Sequence, residues 1–202
     1  MELRRQGITD KRVLTAIEKV PREQFVAEVF RREAWDNKAL PIPLGQTISQ
    51  PFIVAYMTQQ LELTDRSTVL EVGTGSGYQT AVIAQLARRV YSIERLRGLS
   101  SSAQRRLSAL GIINATLRTG DGLKGWTEAA PFDRIIVTAW VNHRPDALTT
   151  QLKPSGILIM PFGESSDSQR LVKIERTAEG LKETELIPVR FVPALEGVAR
   201  EP

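Results

Sequence analysis

The chain of 202 residues is 42% hydrophobic, enough to bury one core with a small appendage. It has no cysteine and one histidine, which excludes disulfides and argues against a metal site built from protein ligands. Its net charge of +4 is scattered in pairs such as Arg31 with Arg32 and Arg105 with Arg106, and only 6% of the residues are aromatic, so the basic residues read as solvated surface rather than as a nucleic-acid patch.

In chain order, residues 1–10 lack the apolar core of a signal peptide and no later run has the length of a membrane span, so the expectation is a cytoplasmic protein without a membrane partner. Apolar spacing over residues 8–20 predicts an amphipathic helix capped by Thr9 or Asp10 and stopped by Pro21. Residues 22–32 read as a second short helix and 35–43 as an irregular connection. Pro51 suits the first turn of a helix over residues 51–61, which makes Ser49 or Gln50 its cap.

Residues 68–94, TVLEVGTGSGYQTAVIAQLARRVYSIE, carry the most information. The first five alternate β-branched and apolar side chains as a buried parallel strand does, Gly73, Gly75 and Gly77 interrupt, and residues 78–88 continue as a helix. Glycines there allow positive φ and let a ligand approach the free N–H groups of a helix N-terminus. A second strand, 90–93, ends in Glu94, about twenty residues past the glycines, where open α/β sheets bind the two hydroxyls of a ribose. The third glycine comes one residue early for the dinucleotide fingerprint, and the Gly-Lys-Ser/Thr end of a phosphate loop is missing, so NAD and nucleoside triphosphates are poor matches. Glu71, just before the glycines, is expected to point a negative charge into the crevice, which suits the ammonium and sulfonium of S-adenosylmethionine and repels a pyrophosphate. The alternative is a tight strand-to-helix connection with no ligand.

Beyond Glu94 the pattern predicts a helix over 99–110 stopped by Gly111, a strand over 115–118 closed by Gly120, Asp121 and Gly122, a strand over 133–138, a helix over 145–152 and a strand over 156–162. Strands alternating with helices predict a parallel, doubly wound sheet. Residues 170–175 and 183–193 flank AEG at 178–180 and read as a terminal hairpin. The expected organisation is a single domain, with 1–62 as an N-terminal helical extension and 63–202 as the cofactor-binding α/β core.

With these segments in view, the chain resembles the protein-L-isoaspartate O-methyltransferase family. The likeness rests on VPREQF at Val20, GQTISQP at Gly45, EVGTGSGYQTA at Glu71, GDG at Gly120 and PFDRIIVTA at Pro131. GQTISQP discriminates, because many methyltransferases share the glycine turn. The resemblance implies a Rossmann-like class I methyltransferase fold, α/β with helices on both faces of a mostly parallel sheet. It also implies S-adenosyl-L-methionine as cofactor and, as acceptors, damaged proteins or peptides bearing isoaspartyl residues. Ser49 would be the active-site serine, with Thr47 and Ile48 lining its segment. Gly73, Thr74 and Gly75 would form the turn beneath the methionine moiety, Glu94 the ribose ligand, and Asp121 with Gly122 the adenine contact. Thr138 and Glu71 complete the implied cofactor set. No metal and no specific nucleic acid are implied, and a monomer is expected.

Two stretches depart from the family. Pro43 and Leu44 stand where a small or aromatic pair is usual and are expected to stiffen the entry to the site. After Thr138 and Ala139 the family continues in alanines and a proline, whereas here Trp140, Val141, Asn142, His143 and Arg144 follow. Trp140 and Arg144 are therefore expected to meet the acceptor, one as a flat apolar wall and the other as a forked cation.

The implied chemistry needs few groups. A carboxylate of pKa about 4 is already ionised at neutral pH, so its methylation requires no general base. Alignment supplies the rate, with Ser49 orienting the carboxylate and not acting as a nucleophile, since no Ser/His/Asp set accompanies it. In the family the ester then closes to a succinimide, whose hydrolysis restores some normal aspartyl bonds. The bland alternatives are a helix cap for Ser49 and a turn residue for Asp121. Three other functions stay open: a nucleic-acid methyltransferase, which would carry Asn/Asp-Pro-Pro-aromatic where TAWVNHRP stands; a paralogue that methylates aspartyl carboxylates of a dedicated peptide; and a cofactor-binding protein without turnover.

Overall fold

Capping chemistry starts the chain. The computed structural model, which describes residues 2–199, opens with a short helix α1 (Glu2–Arg5) and the amphipathic helix α2 (Lys11–Lys19). The Asp10 carboxylate accepts the N–H groups of Arg12 and Val13, which satisfies orphan donors of the first turn of α2. The second expected helix is instead two 3-10 turns, Arg22–Phe25 and Glu28–Glu33, neither of which has a side-chain cap.

The connection read as irregular contains a hairpin, β1 (Leu40–Ile42) and β2 (Gln46–Ile48), with Leu40 opposite Ile48. At its tip Leu44 and Gly45 take φ of 59° and 69°, the left-handed conformation that tight hairpin turns use. Helix α3 (Pro51–Gln60) follows, with Pro51 in its first turn as expected.

Strand β3 (Thr68–Val72) is buried along its whole length and lies between β4 (Arg89–Glu94) and β6 (Phe132–Val137), parallel to both. Strand β5 (Ala115–Thr119) adds in parallel outside β4, and β7 (Leu152–Phe162) in parallel outside β6. The antiparallel hairpin of β8 (Arg170–Thr177) and β9 (Gly180–Pro188) completes a seven-stranded sheet in the order β5-β4-β3-β6-β7-β8-β9. Strands β3, β4 and β5 step outward in one direction, and the chain then crosses back to lay β6 on the other side of β3. That reversal opens a crevice at the carboxyl ends of β3 and β6, where open α/β sheets bind ligands.

The period-two alternation of the strands sorts the core into two layers. Val69, Ile136, Ile157 and Ile159 pack toward α2, α3, α4 (Tyr78–Ala84) and α5 (Arg97–Ala109). Leu70, Val72, Ile135, Val137, Leu158 and Met160 pack toward α6 (Asp146–Thr150) and the short turns at Gly122–Lys124 and Thr127–Ala129. The α/β sandwich read from the sequence is therefore present, with its second face covered by one short helix and turns. No helix among the described residues is long and apolar enough to cross a membrane.

Candidate active site

The glycine turn is shaped by what surrounds it. Gly73, Gly75 and Gly77 have φ of 96°, 55° and 90°, which L side chains rarely adopt. A Cβ on Gly73 would lie 2.3 Å from Thr138 Oγ1, because that hydroxyl reaches the Gly73 carbonyl at 2.6 Å and the Val72 carbonyl at 3.0 Å. Thr138, at the end of β6, thus ties the carboxyl ends of β3 and β6 together.

Beyond the turn the Gly75 N–H donates to Glu94 Oε2 at 2.8 Å, and the Leu96 N–H donates to Oε1 at 3.0 Å. The Glu94 side chain is fixed by two main-chain donors, and each oxygen keeps a lone pair for a further donor. Glu94 lines a cavity of about 210 Å³ together with Val72, Gly73, Gly75 and Ile93. Gly122, Leu123, Thr138 and Ala139 form its walls, and Gly45, Gln46, Thr47 and residues 192–195 close over it. A Cβ on Gly122 would lie 2.4 Å from Val72 Cγ1, so glycine is required there for the wall to sit this close.

Of the expected cofactor residues, Ile48, Glu71, Thr74 and Asp121 do not line that cavity. The Asp121 carboxylate accepts the Leu123 N–H at 3.1 Å and faces the Lys124 ammonium at 3.8 Å. It caps the turn that places Gly122 and Leu123 in the wall, through Oδ1. Thr74 is buried, with its hydroxyl 2.6 Å from Ser92 Oγ. Glu71 is 0% exposed and points to the α4 side of β3, opposite to Val72. Its Oε2 accepts the hydroxyls of Ser92, at 2.6 Å, and Thr80. Glu71 therefore does not aim a charge into the crevice, which corrects the sequence reading; it braces the turn from beneath. Burial pushes its carboxyl up to about 7, against the two hydroxyl bonds and with a smaller upward push from the Glu94 charge.

The cavity suits the nucleoside read from the sequence. Glu94 supplies an acceptor at the ribose position, and Val72, Ile93, Leu96 and Leu123 supply apolar walls.

Thr47 lines this cavity and also a small pocket shared by Ile48, Ser49, Gly73, Gly75 and Tyr78. Thr47 and Ser49 further line a groove of about 540 Å³ bounded by Ala39, Gln50, Ile53 and the extended residues 188–192. Ser49 thus sits between the small pocket at the glycine turn and the groove. It is not the cap of α3: the Phe52 N–H is taken by Asn37 Oδ1 at 3.1 Å, and Gln50, the residue at the cap position, makes no side-chain capping bond.

Trp140 and Arg144 lie elsewhere. The Trp140 indole N–H donates to the Gly163 carbonyl at 2.9 Å, and its main chain bonds to Val192 and Ala194 at 2.8 and 2.7 Å. The Arg144 guanidinium pairs with Glu183 on β9. Neither lines the cavity or the groove, and the Trp140 main chain anchors the segment that covers the cavity. His143 is exposed and contacts Asn142. Sequence reasoning missed Arg95, Leu96 and the covering residues 192–195, which carry no periodic signal.

The chain matches the family model described as Protein-L-isoaspartate(D-aspartate) O-methyltransferase over residues 1–199. It is 59% identical to the protein-L-isoaspartate O-methyltransferase of Parvibaculum lavamentivorans over 100% of this chain and 91% of that one. It is 53% identical to the protein of the same name from Maricaulis maris over 99% and 93%. Among solved structures, a protein-L-isoaspartate O-methyltransferase superposes with a TM-score of 0.87 at 28% identity, over 96% of this chain and 63% of that one. Another, from Plasmodium falciparum and described as a protein-L-isoaspartate O-methyltransferase in complex with S-adenosyl-L-homocysteine, superposes with a TM-score of 0.84 at 26% identity, over 96% and 95%.

Proposed function

The chain belongs to the protein-L-isoaspartate O-methyltransferase family, and from that premise we propose how its residues divide the work of methylating isoaspartyl carboxylates in damaged proteins and peptides. Bound S-adenosyl-L-methionine supplies an electrophilic methyl group on a sulfonium. Glu94 accepts the ribose hydroxyls, the Gly73–Gly75 turn approaches the methionine moiety, and Leu123 and Gly122 pack on the base. Ser49 and Thr47 receive the acceptor carboxylate where the groove meets the small pocket at the glycine turn.

No residue has to move a proton, because the acceptor is already a carboxylate at neutral pH. The work of this chain is alignment: Ser49 donates its hydroxyl to one acceptor oxygen and so directs the other, and the cover at 192–195 restricts water. Fixing two reactants in this way can remove several kcal/mol, up to about 7 to 11, from a bimolecular barrier.

The observation that carries this division is the position of Ser49 and Thr47 on both the small pocket at the glycine turn and the open groove. The dedicated-peptide paralogue drew its support from the Trp140 to Arg144 stretch, and those side chains are engaged with Gly163 and Glu183 away from the groove. Initial rates and cofactor calorimetry on Ser49→Ala test the division: turnover should fall while cofactor affinity stays, and full turnover would refute it.

A further inference from the structure

Arg22 lies in the 3-10 turn after α2 and is 0% exposed. Its Nε donates to the Ala34 carbonyl at 2.6 Å and its Nη2 to the Ser49 carbonyl at 2.7 Å. The guanidinium stacks over the Tyr78 ring, 4.7 Å from its centroid. Tyr78 is the first residue of α4, directly after Gly77 of the glycine turn. One planar cation therefore joins the acceptor segment to the helix that follows the turn on the cofactor side.

This placement is energetically demanding. Arg22 Nη1 and Tyr78 Oη are buried without a well-formed hydrogen bond among the described residues, their nearest polar interaction being with each other, and no carboxylate among the described residues forms an ion pair with the guanidinium. A buried cation without a counter-charge is unfavourable, and an apolar side chain of similar volume fills such a space with less penalty. What an apolar side chain lacks is a rigid fork that fixes two carbonyls at a set angle. The Ser49 hydroxyl has no bond of its own to the described residues, so its place is set by its main chain. A reaction that depends on alignment rather than on a base is sensitive to that place.

We propose that Arg22 is a positioning residue for methyl transfer, holding the Ser49 carbonyl at a fixed distance from Tyr78 and so from the glycine turn. The inference rests on reading Ser49 as the acceptor-orienting residue. Lysine at position 22 keeps the charge but cannot donate to both carbonyls in one plane.

The test is a double-mutant cycle with a stability control. Arg22→Lys should lower kcat for an isoaspartyl peptide about tenfold, leave the affinity for S-adenosyl-L-homocysteine within about twofold, and have less than about a twofold effect when Ser49 is already alanine. Ile174→Ala, in the buried face of β8, serves as a variant of lowered melting temperature that should keep kcat. An Arg22→Lys enzyme that turns over like Ile174→Ala, beside a slow Ser49→Ala, overturns the inference alone. Wild-type turnover in Ser49→Ala overturns the reading of Ser49 and this inference with it. Should Arg22→Lys not fold, arginine side-chain NMR of the wild-type protein decides: saturation with isoaspartyl peptide should shift the Arg22 Nη resonances, and unmoved resonances overturn the inference.

Discussion

Gly75 and Glu94 stand 19 residues apart and are joined by one hydrogen bond of 2.8 Å, main-chain N–H to carboxylate. The bond links the glycine turn to the carboxyl end of β4. Glu94→Ala removes the proposed ribose acceptor and frees the Gly75 and Leu96 N–H groups. Calorimetry should show S-adenosyl-L-homocysteine binding weakened by about 1 to 3 kcal/mol. Unchanged affinity would remove Glu94 from the site.

Gly73→Ala puts a methyl group where the structure has 2.3 Å to Thr138 Oγ1, at a φ of 96°. The left-handed conformation alone costs an alanine about 1 to 2 kcal/mol, and the clash pushes β3 and β6 apart at the crevice. A melting temperature lower by about 4 °C or more is expected, with weaker cofactor binding. A variant that melts and binds like the wild type would show that the turn has slack.

Glu71 gives the stability a pH dependence of defined sign. Its carboxyl is raised to about 7 in the fold and returns to the ordinary 4.5 on unfolding. Between those values the folded chain holds the proton more tightly, so stability is highest below the lower value and falls as pH rises through about 7, by roughly 3 kcal/mol. Glu71→Gln keeps an acceptor for Ser92 and Thr80 and cannot ionise. Urea melts should show the variant gaining on the wild type from about pH 5 to pH 8. Parallel curves would mean that the buried carboxyl does not titrate in this range.

Arg144→Ala should leave both the Michaelis constant and the ranking of isoaspartyl peptides unchanged. The guanidinium is 52% exposed and engaged with Glu183, a surface pair worth about 0 to 1 kcal/mol. A changed ranking across a peptide panel would bring the 140–144 stretch back to the acceptor.

The central strand, the glycine turn and Glu94 were legible because their signals are local: a buried strand pattern, glycines at positive φ, and a carboxylate at a strand end. The hairpin β1–β2 was hidden by its three-residue strands and by Pro41 and Pro43, which obscure any alternation. Glu71 was placed on the wrong face, although strand parity separates it from Val72, which lines the cavity. The GQTISQP segment marks Ser49 as a candidate, but nothing local marks the supports of its main chain: Arg22 is 12 residues from Ala34 and 27 from Ser49, and no short-range pattern shows a surface-type residue as buried. The cover at 192–195 depends on the Trp140 main chain, a contact without a side-chain code.

The most direct measurement is methyl transfer from labelled S-adenosyl-L-methionine to a short isoaspartyl peptide and, in parallel, to its aspartyl twin of identical sequence. The expected result is transfer to the isoaspartyl peptide at a rate that Ser49→Ala lowers, with the aspartyl twin left unlabelled. Equal labelling of the two peptides, or labelling of the aspartyl twin alone, would contradict the proposed acceptor site.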